Sequence, residues 1–407
     1  MKQPEKSVKL SYFNELTINR NDKNFLKMRI FNKFQIIRII AITSLSTVYL
    51  AKCLKEKNKY VAIKIQAINS LISELEREAY FQYYLRGIGI PKVISFGKIG
   101  KFNILVQTLL GKTIDKLFKV NNNFESKMKD MCMAAIQIID RIQFIHSKNI
   151  VHQDIKPENF LVGNPDTSLI YIIDFGFCKK YRSSRTGKHI IFSKSKKFFG
   201  TFEFCSIHAM KGLELTRRDD MESIGYMLIF LITGALPWFG IEGSYSERYE
   251  KVYKIKANIS NENLCKGLPI EMCKYMKYVK SLKYEEDPDY DYLRRLFLLI
   301  LLKMKQRFDL NFSWKPQVKP RKKSLRHLRQ LTFSKFFGGS SIFNQKIKTR
   351  ESPSEIKDNA MSLIDLTINS YKRKIFNMNI KYLDNKIDNK IDNKIKEVNE
   401  SVNIDDN

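Results

Sequence analysis

The stretch His152-Gln153-Asp154-Ile155-Lys156-Pro157-Glu158-Asn159 is followed, twenty residues after Asp154, by Asp174-Phe175-Gly176. Asp154 and Asn159 stand five apart, with Lys156 and Pro157 between them. That polar loop is bounded by apolar sequence on both sides. Upstream, Lys127 to His146 places Met131, Ala135, Ile138, Ile142 and Ile145 on a broadly common apolar stripe, which predicts a helix. Downstream come Phe160-Leu161 and the continuous apolar run Leu169–Ile173, which predicts a strand ending at Asp174. A lone Asp-Phe-Gly is common by chance. At a strand end and at this distance from Asp154, it is not.

Working outward, Phe31 to Ile65 has a β-like pattern. In Tyr60-Val61-Ala62-Ile63-Lys64-Ile65 one face carries Val61, Ile63 and Ile65, the other Ala62 and Lys64. A helix is predicted from about Ile68 to Leu85, with Glu74, Glu76 and Glu78, then two strand-like runs at Lys92–Phe96 and Phe102–Thr108. After Gly111 the character becomes helical, continuing to about Phe312. The segment from Asp220 to Pro237 is apolar almost all round, so it should be buried. The expected class is therefore α+β, bilobal, with a small β-rich lobe and a larger helical one. The expected boundaries are an extension over 1–30, a domain over 31–318 (lobes of about 31–107 and 111–318), and a basic low-complexity tail over 319–407.

The tail opens on the Lys- and Arg-dense segment 319–329 and repeats Asp-Asn-Lys-Ile three times from Asp384 to Ile395. The repeat spaces Ile387, Ile391 and Ile395 at i, i+4, a pattern compatible with a partner helix, although biased sequence explains it as well. With too little apolar pattern for a core of its own, the tail is expected to be disordered or partly helical.

The 407 residues are 43% hydrophobic, enough for a sizeable core, and carry a formal net charge of +30. Residues 319–407 hold 19 Lys/Arg against 11 Asp/Glu, so most of that excess lies in residues 1–318. It favours acidic partners or simply a solvated basic surface. The six cysteines show no C-x-x-C spacing, which argues against a zinc site or a disulfide framework. The longest apolar runs, Tyr226–Ile232 and Leu296–Leu302, are too short to span a bilayer. Met1-Lys2-Gln3-Pro4 is polar and lacks the glycine that myristoylation needs, so neither a secretory leader nor that anchor is expected. The expected location is cytoplasmic, nuclear or both.

Phosphoryl transfer from ATP requires metal ions to neutralise the phosphates, a cation to grip them, and a carboxylate to orient the acceptor hydroxyl. Lys64 on its strand is placed to reach the α and β phosphates, beside Ala62, small enough to lie over a flat base. Glu78 is the preferred partner to hold Lys64 extended, with Glu74 one turn away as the alternative. Asp154 would orient the substrate hydroxyl and Lys156 neutralise the transferring phosphate. Asn159 and Asp174 would hold magnesium. Phe175 would pack into the core and Gly176 permit the chain to reverse.

With these residues in place, the chain resembles a eukaryotic protein kinase, and specifically the casein kinase I family. Besides the motifs above, the resemblance rests on Phe144–Asn149, on Tyr171–Tyr181 (YIIDFGFCKKY) and on Gly200-Thr201. It also rests on Ser206-Ile207-His208, Arg217–Ser223, Leu236-Pro237-Trp238 and Asp287–Tyr290. It covers roughly Asn32 to Trp314. It implies a bilobal kinase fold, ATP and Mg2+ as cofactors, transfer to Ser/Thr of protein substrates, and a monomeric catalytic domain. It also implies an inter-lobe hinge at Thr108-Leu109-Leu110, with Gln107 guarding the back of the pocket, and Asp220 bracing the loop at Asp154.

Several positions depart from the family. Where its glycine-rich loop has three glycines, this chain has Ala41, Thr43 and Ser46, ahead of Val48. Loss of glycine brings Cβ atoms toward the phosphates, so weakened nucleotide binding is expected. Gln153 replaces an arginine that commonly pairs with an activation-segment phosphate. Glu203 replaces a second arginine, one that helps bind anionic substrate groups, while Lys179, Lys196 and Arg248 remain at other anion positions. Acidic or pre-phosphorylated substrates stay in view on that basis. Cys178, Cys205 and His208 lie nearby without an assigned role. Three rivals stand beside an active kinase: a pseudokinase scaffold, a small-molecule phosphotransferase, and nucleic-acid binding through the basic tail. The last lacks aromatic interleaving or a groove-reading motif.

Overall fold

A computed structural model describes residues 25–43, 45–68, 74–183, 185–194, 201–315, 364–371 and 373. The strand-rich lobe is one antiparallel sheet in the order β1-β2-β3-β4-β6-β5. Its strands are β1 (Arg29–Ile30), β2 (Phe34–Ile42), β3 (Thr47–Cys53), β4 (Tyr60–Ala67), β5 (Val93–Ile99) and β6 (Phe102–Thr108). Helix α1 (Glu74–Tyr84) lies between β4 and β5 in sequence. Register sorts the side chains onto two faces. Tyr49, Ile63 and Val106 pair across β3, β4 and β6, and with Phe25, Phe34, Ile36 and Ala51 they form a small closed core. The alternate rows are Val48, Lys64 and Leu105, then Leu50, Ala62 and Gln107. These face the other way. There Leu105 packs on Leu75 and Ala79 of α1.

The helical lobe follows with α2 (Ile114–Val120), α3 (Phe124–Ser147), α4 (Ile207–Met210), α5 (Arg217–Thr233), α6 (Tyr245–Asn258), α7 (Asn261–Leu264), α8 (Ile270–Ser281) and α9 (Tyr290–Lys303). Two small ribbons sit where the lobes meet. One pairs β7 (Ile150–Val151) with β10 (Lys179–Lys180), the other β8 (Phe160–Val162) with β9 (Ile170–Ile172). Helix α3 packs on both α5 and α9. The buried character expected near Asp220 belongs to α5, which starts three residues earlier than the apolar pattern. Thr216 and Asp219 form a capping box there, and Gly234, with φ +79°, ends the helix in the left-handed region. No helix among the described residues is long and apolar enough to cross a membrane.

Part of the tail joins this body. Residues 364–371 form a helix, α10, whose Ile364, Ile368 and Tyr371 are buried in the helical lobe's core. Their i, i+4, i+7 spacing puts them on one helical stripe. The ring of Tyr371 meets Phe308 edge-on at 5.0 Å, and Arg295 on α9 reaches Asp365 at 3.1 Å. A stretch too poor in apolar residues to build a core was enough to cover a neighbour's. The Ile387, Ile391, Ile395 repeat lies outside the described residues. Replacing Ile368 with Asp places a charge in this interface. It should undock α10 at a cost of about 2 kcal/mol, seen as faster amide exchange at 364–371 and around Phe308 but not in the β-sheet. Unchanged exchange would mean that the docked helix contributes nothing to stability.

Candidate active site

Four pieces of chain converge between the lobes: β4, α1, the loop from His152 to Asn159, and the end of β9. Lys64 Nζ lies 2.5 Å from Glu78 Oε2 and 3.4 Å from Asp174 Oδ1. It is Glu78 that faces Lys64, while Glu74 is exposed. Helix α1 is fixed in this position from several sides. Leu75 N–H donates to Gln66 Oε1 at 2.9 Å, Gln82 Nε2 donates to Pro91 O and Gln107 Oε1, and Arg77 donates to Cys178 O at 2.9 Å. The helix that carries Glu78 is therefore tied to the sheet on one side and to the segment after Gly176 on the other.

Burial works to lower the Lys64 ammonium, but the carboxylates of Glu78 and Asp174 outweigh it and hold the value up. Burial pushes the Glu78 carboxyl up to about 7, against the pull of Lys64. Both shifts are upward, so one favours the charged lysine and the other the neutral carboxyl of the same contact. The charged pair is the state to accept, because protonating Glu78 would leave a buried ammonium short of an anion. For Asp174, burial would raise the carboxyl, yet Lys64 and Lys156 hold it below the usual carboxylate range.

The loop places Asp154 under two donors. Lys156 Nζ lies 2.6 Å from Asp154 Oδ2, and Asn159 Nδ2 reaches the same oxygen at 3.1 Å and the Asp154 carbonyl at 2.8 Å. Lys156 also reaches Thr201 Oγ1 at 3.5 Å. The donor end of Asn159 is thus used on Asp154, which leaves its side-chain carbonyl oxygen without that role. That oxygen and the Asp174 carboxylate are hard oxygen donors, the ligand type that suits magnesium.

Asp220 of α5 holds this loop from below. Its carboxylate accepts the N–H groups of His152 at 2.8 Å and Gln153 at 2.9 Å, and the ring of His146 at 2.9 Å. Gln153 has φ +70°, in the left-handed region, and Asp174 has φ +67°. Such residues cost roughly 1–3 kcal/mol each and persist only where neighbours fix them. Burial would raise Asp220, but the hydrogen bonds from the His146 ring and the His152 N–H hold it low. Burial lowers His146, so its neutral ring donates from Nε2 to Asp220. Its Nδ1, 2.7 Å from the Tyr290 hydroxyl, then accepts. Sequence reasoning counted His146 and Tyr290 within stretches that carry the resemblance but gave neither a role. The available signal was a histidine at a helix end otherwise filled with buried apolar residues.

On the cleft face of the sheet, Val48, Ala62 and Lys64 share a side with Gln107, whose amide oxygen is bonded to Gln82 at 2.7 Å. Ala41 pairs with Val48 and is exposed, and Leu110 is half-buried just past β6. Thr43 and Ser46 face each other across the β2–β3 turn. Two of the three expected anion positions are occupied internally. Arg248 pairs with Glu203 at 3.5 Å and lies 5.0 Å over the ring of Phe202, in a shallow pocket walled by Trp238 and Phe239. Lys179 forms an ion pair with Glu214, and Lys196 lies outside the described residues. Burial raises the Cys178 thiol, and Cys205 up to about 11, so neither is a nucleophile near neutrality.

Residues 34–282 match the family model described as the protein kinase domain. That span contains every residue considered above except Tyr290 and, beyond the site itself, the tail contacts.

The His146–Asp220 contact carries a pH signature. The folded ring is held below the ordinary histidine value of 6.5. The unfolded chain therefore takes up a proton that the folded one refuses, and stability falls as pH drops below 6.5. One such group accounts for at most about 1.4 kcal/mol per pH unit. His146→Gln keeps a donor for Asp220 but cannot titrate. Its urea midpoint should fall less steeply between pH 6.5 and 5 than that of the wild type, and parallel profiles would exclude His146 as the titrating group.

Proposed function

The chain belongs to the protein kinase family, and from that premise we propose that it is catalytically active. It would transfer the γ-phosphoryl group of ATP to serine or threonine of protein substrates, in the manner of casein kinase I. The observation that carries the activity is the contact of Lys64 with both Glu78 and Asp174, beside an Asp154 already bonded to Lys156 and Asn159. In this arrangement the charged groups that phosphoryl transfer needs are positioned before substrate arrives, so little reorganisation is left for the reaction itself.

In the proposed mechanism Lys64 grips the α and β phosphates, and Glu78 keeps it extended. Asp154 receives the hydrogen bond of the acceptor hydroxyl and orients its oxygen toward the γ phosphorus. Lys156, now 2.6 Å from Asp154, neutralises the charge that develops on the transferring group. Asp174 and Asn159 would hold magnesium, which would supply positive charge to neutralise the phosphates. Ala62 and Gln107 flank the base. The preference for Ser/Thr rests on Lys156 and on the casein kinase I resemblance. The rival is a scaffold that binds nucleotide without transferring phosphate, and the altered β2–β3 turn is what favours it.

For substrates the ion pairs matter more than net charge. Arg248 is paired with Glu203 and Lys179 with Glu214, so two cations that would attract a phosphorylated or acidic substrate are neutralised within the chain. We infer a weakened preference for acidic sequences.

Two measurements test these statements. Full-length protein with Mg-ATP should label casein or itself, and Asp174→Asn should reduce transfer at least about 100-fold. Nucleotide binding without transfer at millimolar ATP would establish the scaffold instead. Glu203→Ala frees Arg248, and should raise phosphorylation of an acidic peptide over its neutral analogue a few-fold at low salt, with the gain lost at high salt. An unchanged ratio would remove this pocket from substrate recognition.

A further inference from the structure

The turn between β2 and β3 is closed by the two side chains that stand where glycines are expected. Thr43 N–H donates to Ser46 O at 2.9 Å, as any tight turn would allow. Three further contacts depend on the side chains. Ser46 N–H donates to Thr43 Oγ1 at 3.0 Å, the Thr43 hydroxyl donates to Ser46 O at 3.0 Å, and the two hydroxyls lie 2.9 Å apart. The set is self-consistent: Thr43 Oγ1 gives its proton to the carbonyl and accepts from both the N–H and the hydroxyl of Ser46. Ser46 is 3% exposed.

In loops of this kind the backbone N–H groups receive phosphate oxygens. Here the N–H of Ser46 already has an oxygen. We propose that Thr43 Oγ1 is an internal stand-in for a phosphate oxygen, so that nucleotide binding must break the Thr43–Ser46 staple before the loop can close on the phosphates. The proposal rests on the kinase reading and adds a specific element to it. Replacing the glycines crowds the phosphates, and it also puts a competing acceptor on one of their donors. Thr43 is then a positioning residue that sets nucleotide affinity through Ser46. Its effect should depend on phosphate and not on the base, because Val48, Ala62 and Gln107, which flank the base, make none of these contacts.

The test is calorimetric titration of the full-length protein with Mg-ATP and with adenosine, for the wild type and for Thr43→Val. Valine keeps the β-branched shape and removes the hydroxyl. The expected result is Mg-ATP affinity about 3- to 10-fold tighter in the variant, the value of one or two neutral hydrogen bonds, with adenosine affinity unchanged. Ser46→Ala, which keeps the Ser46 N–H to Thr43 bond, should give the smaller gain. Unchanged or weaker Mg-ATP binding in Thr43→Val would overturn the staple as a competitor and make it a support of the loop. An equal change for adenosine would overturn its restriction to phosphate. If the wild type and variant bind neither ligand, the kinase reading itself fails, and the proposal falls with it.

Discussion

The buried carboxylate of Asp220 is the point on which the catalytic region rests. Desolvating a charge is costly unless hydrogen bonds replace its water, and Asp220 has three donors within 2.9 Å. It also sits in the first turn of α5, where the helix dipole favours negative charge. Two of the donors are consecutive backbone N–H groups, and this holds Gln153 in a conformation that a side chain rarely adopts unaided. With the chain fixed at 152 and 153, His152 can donate to the Ile173 carbonyl at 3.2 Å and meet Phe175 edge-on, which links the Asp154 loop to the segment that begins at Asp174. Removing Asp220 would leave two orphaned N–H groups beneath the residues that matter most.

The fold was legible in the sequence wherever the determining contacts are local. The alternation of β4, the apolar stripe of α3 and the all-round apolarity of α5 each reflect a periodicity that one segment displays alone. The loop from His152 to Asn159 and the Asp174 turn were legible for a related reason: their chemistry needs particular residues at short separations. The contacts that were not legible join distant positions through single polar atoms. His146 to Tyr290, Arg248 to Glu203 and Arg77 to the Cys178 carbonyl leave no periodic trace, because one hydrogen bond constrains one residue. The same holds for Thr43 and Ser46. They read as losses of glycine, and only their geometry shows that each hydroxyl has a partner.

Charge tells a similar story at larger scale. A net +30 suggests a surface open to anions, but among the described residues four cations of the domain considered above are matched. Lys64 has Glu78 and Asp174, Lys156 has Asp154, Lys179 has Glu214 and Arg248 has Glu203. Net charge of this kind influences association rates and weak encounters more than the chemistry.

The docking of α10 changes what the chain beyond Lys315 is. Because 364–371 packs on the helical lobe, its docking must meet the loop-closure cost set by the 48 residues of sequence between Lys315 and Ile364. Closing a loop of 48 residues costs little more than closing a shorter one, since the penalty grows with the logarithm of length. Two turns of helix are therefore enough to hold it. A truncation at 318 therefore removes a part of the folded structure along with the tail.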